Sequence, residues 1–214
     1  MLSLRIILAA CIVAACIQMS CNGTTAVYVT FGSVVKLMNI AHGTRLHSIS
    51  ELKYIGGSSQ QMVTGTYDGD DMMSNWVVKS EGVSTRGQPV QCGDTVRLMH
   101  LASAKNLHSH TVRSPLSGNL EVTAFGENGV GDGGDSWQVM CKRLLWRRDS
   151  PVLLRHRDTG SYLMVSGERY DDYYVAVADQ LEVAATHLGH QSYWQVAEGF
   201  YVHPSKFRNR HSEL

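Results

Sequence analysis

The chain is 214 residues long, 43% hydrophobic and 18% charged, with 19 Lys and Arg balanced by 19 Asp and Glu. That balance, with no basic run, excludes the electrostatic footprint of a protein that grips nucleic acid or anionic lipid. Past the amino-terminal segment no apolar stretch reaches the roughly twenty residues needed to span a bilayer, so a soluble globular protein without a membrane span is expected.

In chain order the first element is a leader. Met1–Arg5 carries one positive charge and runs into IILAACIVAACI, Ile6–Ile17, an uncharged apolar run of twelve. Such a run is too short to cross a membrane and has the length of a signal-peptide core. The small and polar residues QMSCNGTTA follow, which assigns residues 1–22 to a signal peptide cleaved between 20 and 26. A lipoprotein signal centred on Cys21 fits poorly, because Gln18 stands where such signals place Leu. Losing the leader removes only Arg5 among the charges and leaves 18 basic and 19 acidic residues.

The mature chain is written three times. VVKLMNIAHGTRLHS begins at Val34, and TVRLMHLASAKNLHS begins 61 residues later at Thr95. A third, fainter copy starts near Val152. Val35, Val96 and Val152 are each followed by Leu37, Leu98 and Leu154, then by Leu46, Leu107 and Leu163. Each unit ends on a tryptophan, Trp76, Trp137 or Trp194, at spacings of 41, 41 and 42 residues from its first Val. Between them lie the matching segments QMVTG, LEVTA and LEVAA, so repeats of about 27–86, 87–147 and 148–204 fill the mature chain.

Inside a unit apolar and polar residues alternate, as in Val35-Lys36-Leu37, which is the period of a half-buried strand. Gly-, Asn- and Asp-rich stretches such as YIGGSSQ, TYDGDD and ENGVGDGGD separate these strands. About four strands per unit gives an all-β chain of three pseudo-repeats. Propellers typically use four or more blades, and solenoids use shorter units with distinct caps. Three units closed about one axis leave no free sheet edge. The expected fold is a single β-trefoil domain over 27–204, with Trp76, Trp137 and Trp194 sharing its core.

Cys11, Cys16 and Cys21 fall in or beside the leader, leaving Cys92 and Cys141. Cys92 lies four residues before Val96 and Cys141 four after Trp137, positions that only the middle unit fills with cysteine. The first and fourth strands of a trefoil unit are neighbours, so an oxidising lumen would pair them; two buried free thiols are the alternative.

RLHS and NLHS set His47 and His108 at equivalent positions, where alternation against Leu46 and Leu107 points them outward. The third unit has Met164 there. The pair reads either as polar recognition surfaces for a sugar hydroxyl or peptide, or as strand residues bonded to a nearby turn. YDDYY offers Tyr170, Tyr173 and Tyr174 as an aromatic platform for a sugar. No metal is expected: HLGH lacks companion ligands, and DGDD and GDGGD lack the spacing of a calcium loop and read as turns. No nucleophile elbow, Cys–His arrangement or phosphate loop appears, so neither catalysis nor a cofactor is expected. The basic polar segment 205–214 ends in HSEL, and His211, Ser212, Glu213 and Leu214 resemble a receptor-read retention signal with Ser212 as the departure. Leader and tail together place the chain in the lumen of the endoplasmic reticulum.

VVKLMNIAHGTRLHS, VRLMHLASAKNLHSH and LHSHTVRSPLSGNLEVTAFGENGVGD resemble the MIR-domain family, and within it the stromal cell-derived factor 2 group. The similarity runs from about Val27 to Pro204. It implies a β-trefoil of the secretory pathway, working with a J-domain co-chaperone and the luminal ATPase chaperone on misfolded or O-mannosylated client proteins, with a retention receptor reading the C-terminus. A lectin-like module recognising O-mannosylated proteins is the alternative.

Overall fold

The computed structural model describes residues 28–82 and 86–203, apart from the side chains at 51, 172, 174 and 175. The assigned leader and the 205–214 tail, with His211 to Leu214, lie outside them. The described residues are all-β. They form β1 (Val34–Asn39), β2 (Arg45–Lys53), β3 (Gln61–Thr66), β4 (Trp76–Ser80), β5 (Thr95–His100) and β6 (Asn106–Arg113), then β7 (Leu120–Phe125), β8 (Trp137–Met140), β9 (Leu153–His156), β10 (Tyr162–Arg169), β11 (Leu181–Thr186) and β12 (Trp194–Phe200). Only short 3₁₀ turns interrupt them.

Every strand pairing is antiparallel. β1 pairs with β4 and β12, β4 with β5, β5 with β8 and β8 with β9. The bridge between Val152 and Trp194 joins the approach to β9 back to β12, which closes this set into a ring without an open edge. The other six strands form the hairpins β2–β3, β6–β7 and β10–β11, whose third strands pair with one another. Each hairpin shifts register at a corresponding place, after Ser48, Ser109 and Val165. A bulge there bends the hairpin over the mouth of the ring.

Alternation in the sequence drives the closure. In β5 Val96, Leu98 and His100 are buried while the intervening residues are half-buried. The equivalent residues of all units converge on one core holding Leu37, Leu98, Leu154, Leu46, Leu107, Leu163 and the three tryptophans, whose exposure is 0%. A buried indole N–H needs an acceptor, and each finds the same one: Trp76 donates to the Leu46 carbonyl at 2.8 Å, Trp137 to Leu107 at 2.9 Å and Trp194 to Leu163 at 2.9 Å. Burying each ring contributes about 2–3 kcal/mol relative to exposure. Trp146 joins the same core at the opposite end, where 28–31, 88–91 and 145–147 bridge one another.

A disulfide links Cys92 to Cys141 across 49 residues, with Cα atoms 5.4 Å apart. It is possible because β5 and β8 are adjacent, Val96 facing Trp137, so that four residues further out the two chains are still side by side.

Candidate functional sites

Two depressions carry chemistry. The larger, about 730 Å³, lies beside the disulfide and is lined chiefly by Ile40, Met140, Cys141, Leu145, Pro151 and Tyr193. Its walls come from the turn after β1, the segment between β8 and β9, and the turn before β12. Hydrogen bonding of the Ile40 N–H to the Tyr193 carbonyl at 2.9 Å holds two of these walls together. Ile40, Met140 and Tyr193 are all exposed, and Leu144 at 75% exposure stands close by in sequence. Lys142, Arg143 and Arg147 supply a basic rim, with Arg147 paired to Asp149 at 2.7 Å. The groove therefore sets apolar walls beside a cationic edge.

The second, about 500 Å³, is polar and lies against the middle unit, lined by residues including Gln60, His108, His110, Asp132, His156 and Asp158. It is built by repeat logic. His108 faces Thr123 across the β6–β7 ladder, and Thr123 donates its hydroxyl to Gln60 of the first unit at 2.6 Å. The other edge of the His108 ring lies 3.2 Å from Asp132. Asp132 starts the 3₁₀ turn Gly133–Asp135 and accepts from the Gly134 N–H at 2.9 Å. Behind it Asp135 is fully buried, receiving the Asn106 amide at 2.9 Å with Arg97 at 3.7 Å. His110 bonds the buried carboxylate of Glu121 at 2.9 Å.

Burial sets the protonation here. It pushes His108 down to about 4 although Asp132 pulls the other way, so the imidazole is neutral at neutral pH. Burial likewise pushes Asp135 up to about 6, against the lowering effects of Asn106 and Arg97. The first unit repeats the arrangement: His47 touches Thr64 at 3.0 Å and Gln180 at 2.9 Å, and burial lowers its pKa as well. In the third unit the cross-strand pair is Met164 and Ala184, which brings neither an imidazole nor a hydroxyl to this place.

The expected outward His47 and His108 are therefore corrected: both are buried, at 3% and 4% exposure. Their strands are covered on both faces, by the tryptophan core on one side and by the 3₁₀ turn of their own unit on the other. Tyr170 is also corrected. At 1% exposure it packs with Tyr54, Met62 and Val177 in a second small core and is no surface platform. Tyr173 is 69% exposed, and the side chain of Tyr174 lies outside the described positions.

A family model for the MIR domain matches residues 50–194. Human stromal cell-derived factor 2 is 44% identical over 192 residues, covering 87% of this chain and 89% of that protein. The chain belongs to the stromal cell-derived factor 2 group of MIR-domain proteins. The crystal structure of the SDF2-like protein from Arabidopsis thaliana superposes with a TM-score of 0.78 at 38% identity, over 83% of this chain and 98% of that one. The S. cerevisiae protein O-mannosyltransferase Pmt1–Pmt2 complex bound to the sugar donor matches with a TM-score of 0.73 and 28% identity, over 81% of this chain and 26% of that one.

Against that family frame, the pocket of this MIR domain draws in residues that the sequence motifs passed over. Asp132 and Asp135 sit in GDGGD, read from sequence as a turn, and Asp132 does cap one. The histidine beside them comes from β6, more than twenty residues earlier in the chain. A comparison of the three units at the residue two before each tryptophan, Ser74, Asp135 and Ser192, is the signal that marks Asp135 out.

Proposed function

We propose that this protein is a non-catalytic cofactor of luminal protein folding, retained in the endoplasmic reticulum through HSEL and a retention receptor. In this reading it acts with a J-domain co-chaperone and the luminal ATPase chaperone on misfolded or O-mannosylated clients. The observation that carries it is the apolar groove beside the disulfide. A cofactor that steadies unfolded segments or docks on a partner needs such an exposed patch, whereas monomers seldom leave large ones uncovered. Membership of the stromal cell-derived factor 2 group supports the same reading, as does the absence of a recognisable nucleophile or phosphate-loop motif from the sequence. We read the strand arrangement as a β-trefoil, on the strength of its six-strand ring, three capping hairpins and three equivalent indole bonds. The cleaved leader and the domain limits of 27–204 belong to this proposal.

A lectin-like role is the second reading, favoured by the polar pocket and by the similarity to an O-mannosyltransferase complex whose structure holds a sugar donor. Affinity capture from luminal extract, with the tail intact, separates the two. Recovery of a J-domain protein and the ATPase chaperone in the presence of excess free mannose is expected. Met140→Glu with Tyr193→Glu, which puts charge into the groove, should reduce that recovery at least about tenfold, the loss of some 1.4 kcal/mol. Capture abolished by mannose and indifferent to the groove variant would overturn the cofactor reading in favour of the lectin.

A further inference from the structure

We propose that the middle unit carries a binding site for a divalent cation of the zinc type, formed by His108, Asp132 and Asp135. It stands independently of the functional reading above.

One ligand atom from each of these residues lies within 4.8 Å of the others. Zinc bonds of about 2.0–2.1 Å to nitrogen and oxygen place two ligands of one ion roughly 3.3 Å apart in a tetrahedron, so modest side-chain adjustment closes the set. One imidazole with two carboxylates suits zinc or a neighbouring first-row ion better than calcium, which takes six to eight oxygens. Asp132 is 60% exposed in its side chain, so the pocket gives an ion a way in and leaves room for water in the remaining positions.

The other units act as internal controls. In the first unit Asp71 occupies the place of Asp132, and its carboxylate is satisfied by the Met73 N–H at 3.0 Å and the Ser74 hydroxyl at 2.6 Å. Ser74 corresponds to Asp135, and the third unit has Ser192 there. The middle unit alone exchanges that hydroxyl donor for a second carboxylate. Asp135 is wholly buried, and although one of its oxygens meets Asn106 and Arg97, Oδ1 is buried without a hydrogen-bond partner among the described residues. Burying an unpaired carboxylate oxygen beside another acid is costly, and a cation removes the cost.

The histidine is oriented for the same task. Thr123 gives its hydroxyl proton to Gln60 at 2.6 Å, so toward His108 Nδ1, at 3.4 Å, it presents a lone pair. In the metal-free ring Nε2, 3.2 Å from Asp132, carries the proton and donates it to that carboxylate. A cation entering between them takes the place of that proton, which moves to Nδ1 where the Thr123 lone pair accepts it. Thr123 then serves the bound ion as the partner that fixes the ligand tautomer.

The test titrates the mature chain, tail included and stripped by chelator, with Zn²⁺ and in parallel with Ca²⁺ and Mg²⁺, by calorimetry and thermal melting. One zinc per chain is expected, with calcium and magnesium at least about tenfold weaker. Asp135→Ser, the residue of the other two units, and His108→Met, the residue of the third, should each weaken zinc by more than the 10–100-fold typical of losing an outer-shell partner. His187→Ala, in the HLGH stretch, should leave it unchanged. In the wild-type chain Co²⁺ should broaden the His108 ring resonances and spare those of His47, a readout independent of whether the variants fold. Absence of zinc binding, unaltered affinity in both variants, or broadening at His187 and His190 in place of His108 would each overturn the site.

Discussion

The first and middle units are nearly the same sentence with different endings. Both bury a histidine against a threonine and bridge it to a glutamine of another unit, Gln180 for His47 and Gln60 for Thr123. Both set an aspartate, Asp71 or Asp132, at the head of a 3₁₀ turn just before the tryptophan. Yet the first unit closes its network with Ser74, while the middle unit opens its network with Asp135 and adds a disulfide. The lesson is that the shared residues build the frame, and chemistry enters where one copy breaks the pattern. A tryptophan common to all three units is scaffold; an acid present in one is a candidate for work.

The largest test of that division is to remove the frame itself. Trp76→Ala, Trp137→Ala and Trp194→Ala each leave a cavity in the same core and orphan a leucine carbonyl, and each should cost about 3–5 kcal/mol. Chemical denaturation of the three variants should give losses agreeing within a factor of two. One variant that unfolds at little cost would show that the units are not equivalent in the core. Next in size is the feature unique to the middle unit. Replacing Cys92 and Cys141 together by Ser should lower stability by roughly 4 kcal/mol on the chain-entropy account of a loop this long. Equal denaturation midpoints for the oxidised wild type and the double variant would remove the disulfide from the list of stabilising contacts.

Much of this was open to a reader of the sequence, and the limits have physical causes. The repeated Val, Leu and Trp positions carry their own alignment, and burial of a large apolar side chain is the strongest constraint a barrel imposes. Cys92 and Cys141 could be paired because both lie a fixed four residues from aligned core positions. Alternation failed for His47 and His108, since it assumes that a strand has one wet face. In hairpins that fold over a ring, the second face is roofed by a 3₁₀ turn contributed from some twenty-five residues away in sequence. Tyr170 misled for a related reason. It looks like part of a tyrosine-rich surface loop, but it follows β10 as Tyr54 follows β2, and both are buried in the same small core. The apolar groove gave no signal at all, because its walls come from the 40s, the 140s and the 190s.

A milder perturbation asks whether the polar histidine network is needed for the fold. His108→Met combined with Thr123→Ala writes the third unit's solution, Met164 over Ala184, into the middle one. Replacing both partners with apolar groups avoids a stranded donor, so the change in stability should stay within about 1.5 kcal/mol. A loss of 3 kcal/mol or more, on the scale of breaking a buried charged pair, would show that the network supports the barrel and is not an ornament of the middle unit.

The smallest expected effect lies in the acid limb of stability. Asn39, His100 and His156 occupy one position in the three units and make one kind of contact: Asn39 donates to the Gln191 carbonyl, while His100 and His156 each meet the backbone of the turn before their neighbouring tryptophan, at Met73 and Gly134. Burial lowers the pKa of His100, its bond to Met73 opposing only in part. In the unfolded chain this ring titrates near 6.5, so below that pH and above the depressed folded value the unfolded state holds more protons. Its contribution to stability is therefore complete above about pH 6.5 and is lost as the pH falls, with a slope of at most about 1.4 kcal/mol per pH unit for a single group. His100→Asn puts in the residue that the first unit uses and removes the titration. Melting in chelator at pH 7.5 and 5.5 should then show a smaller acid-induced drop than in wild type. If the drop is unchanged, the imidazole is no more than a spacer there, and the choice between His and Asn at this position carries no electrostatic consequence.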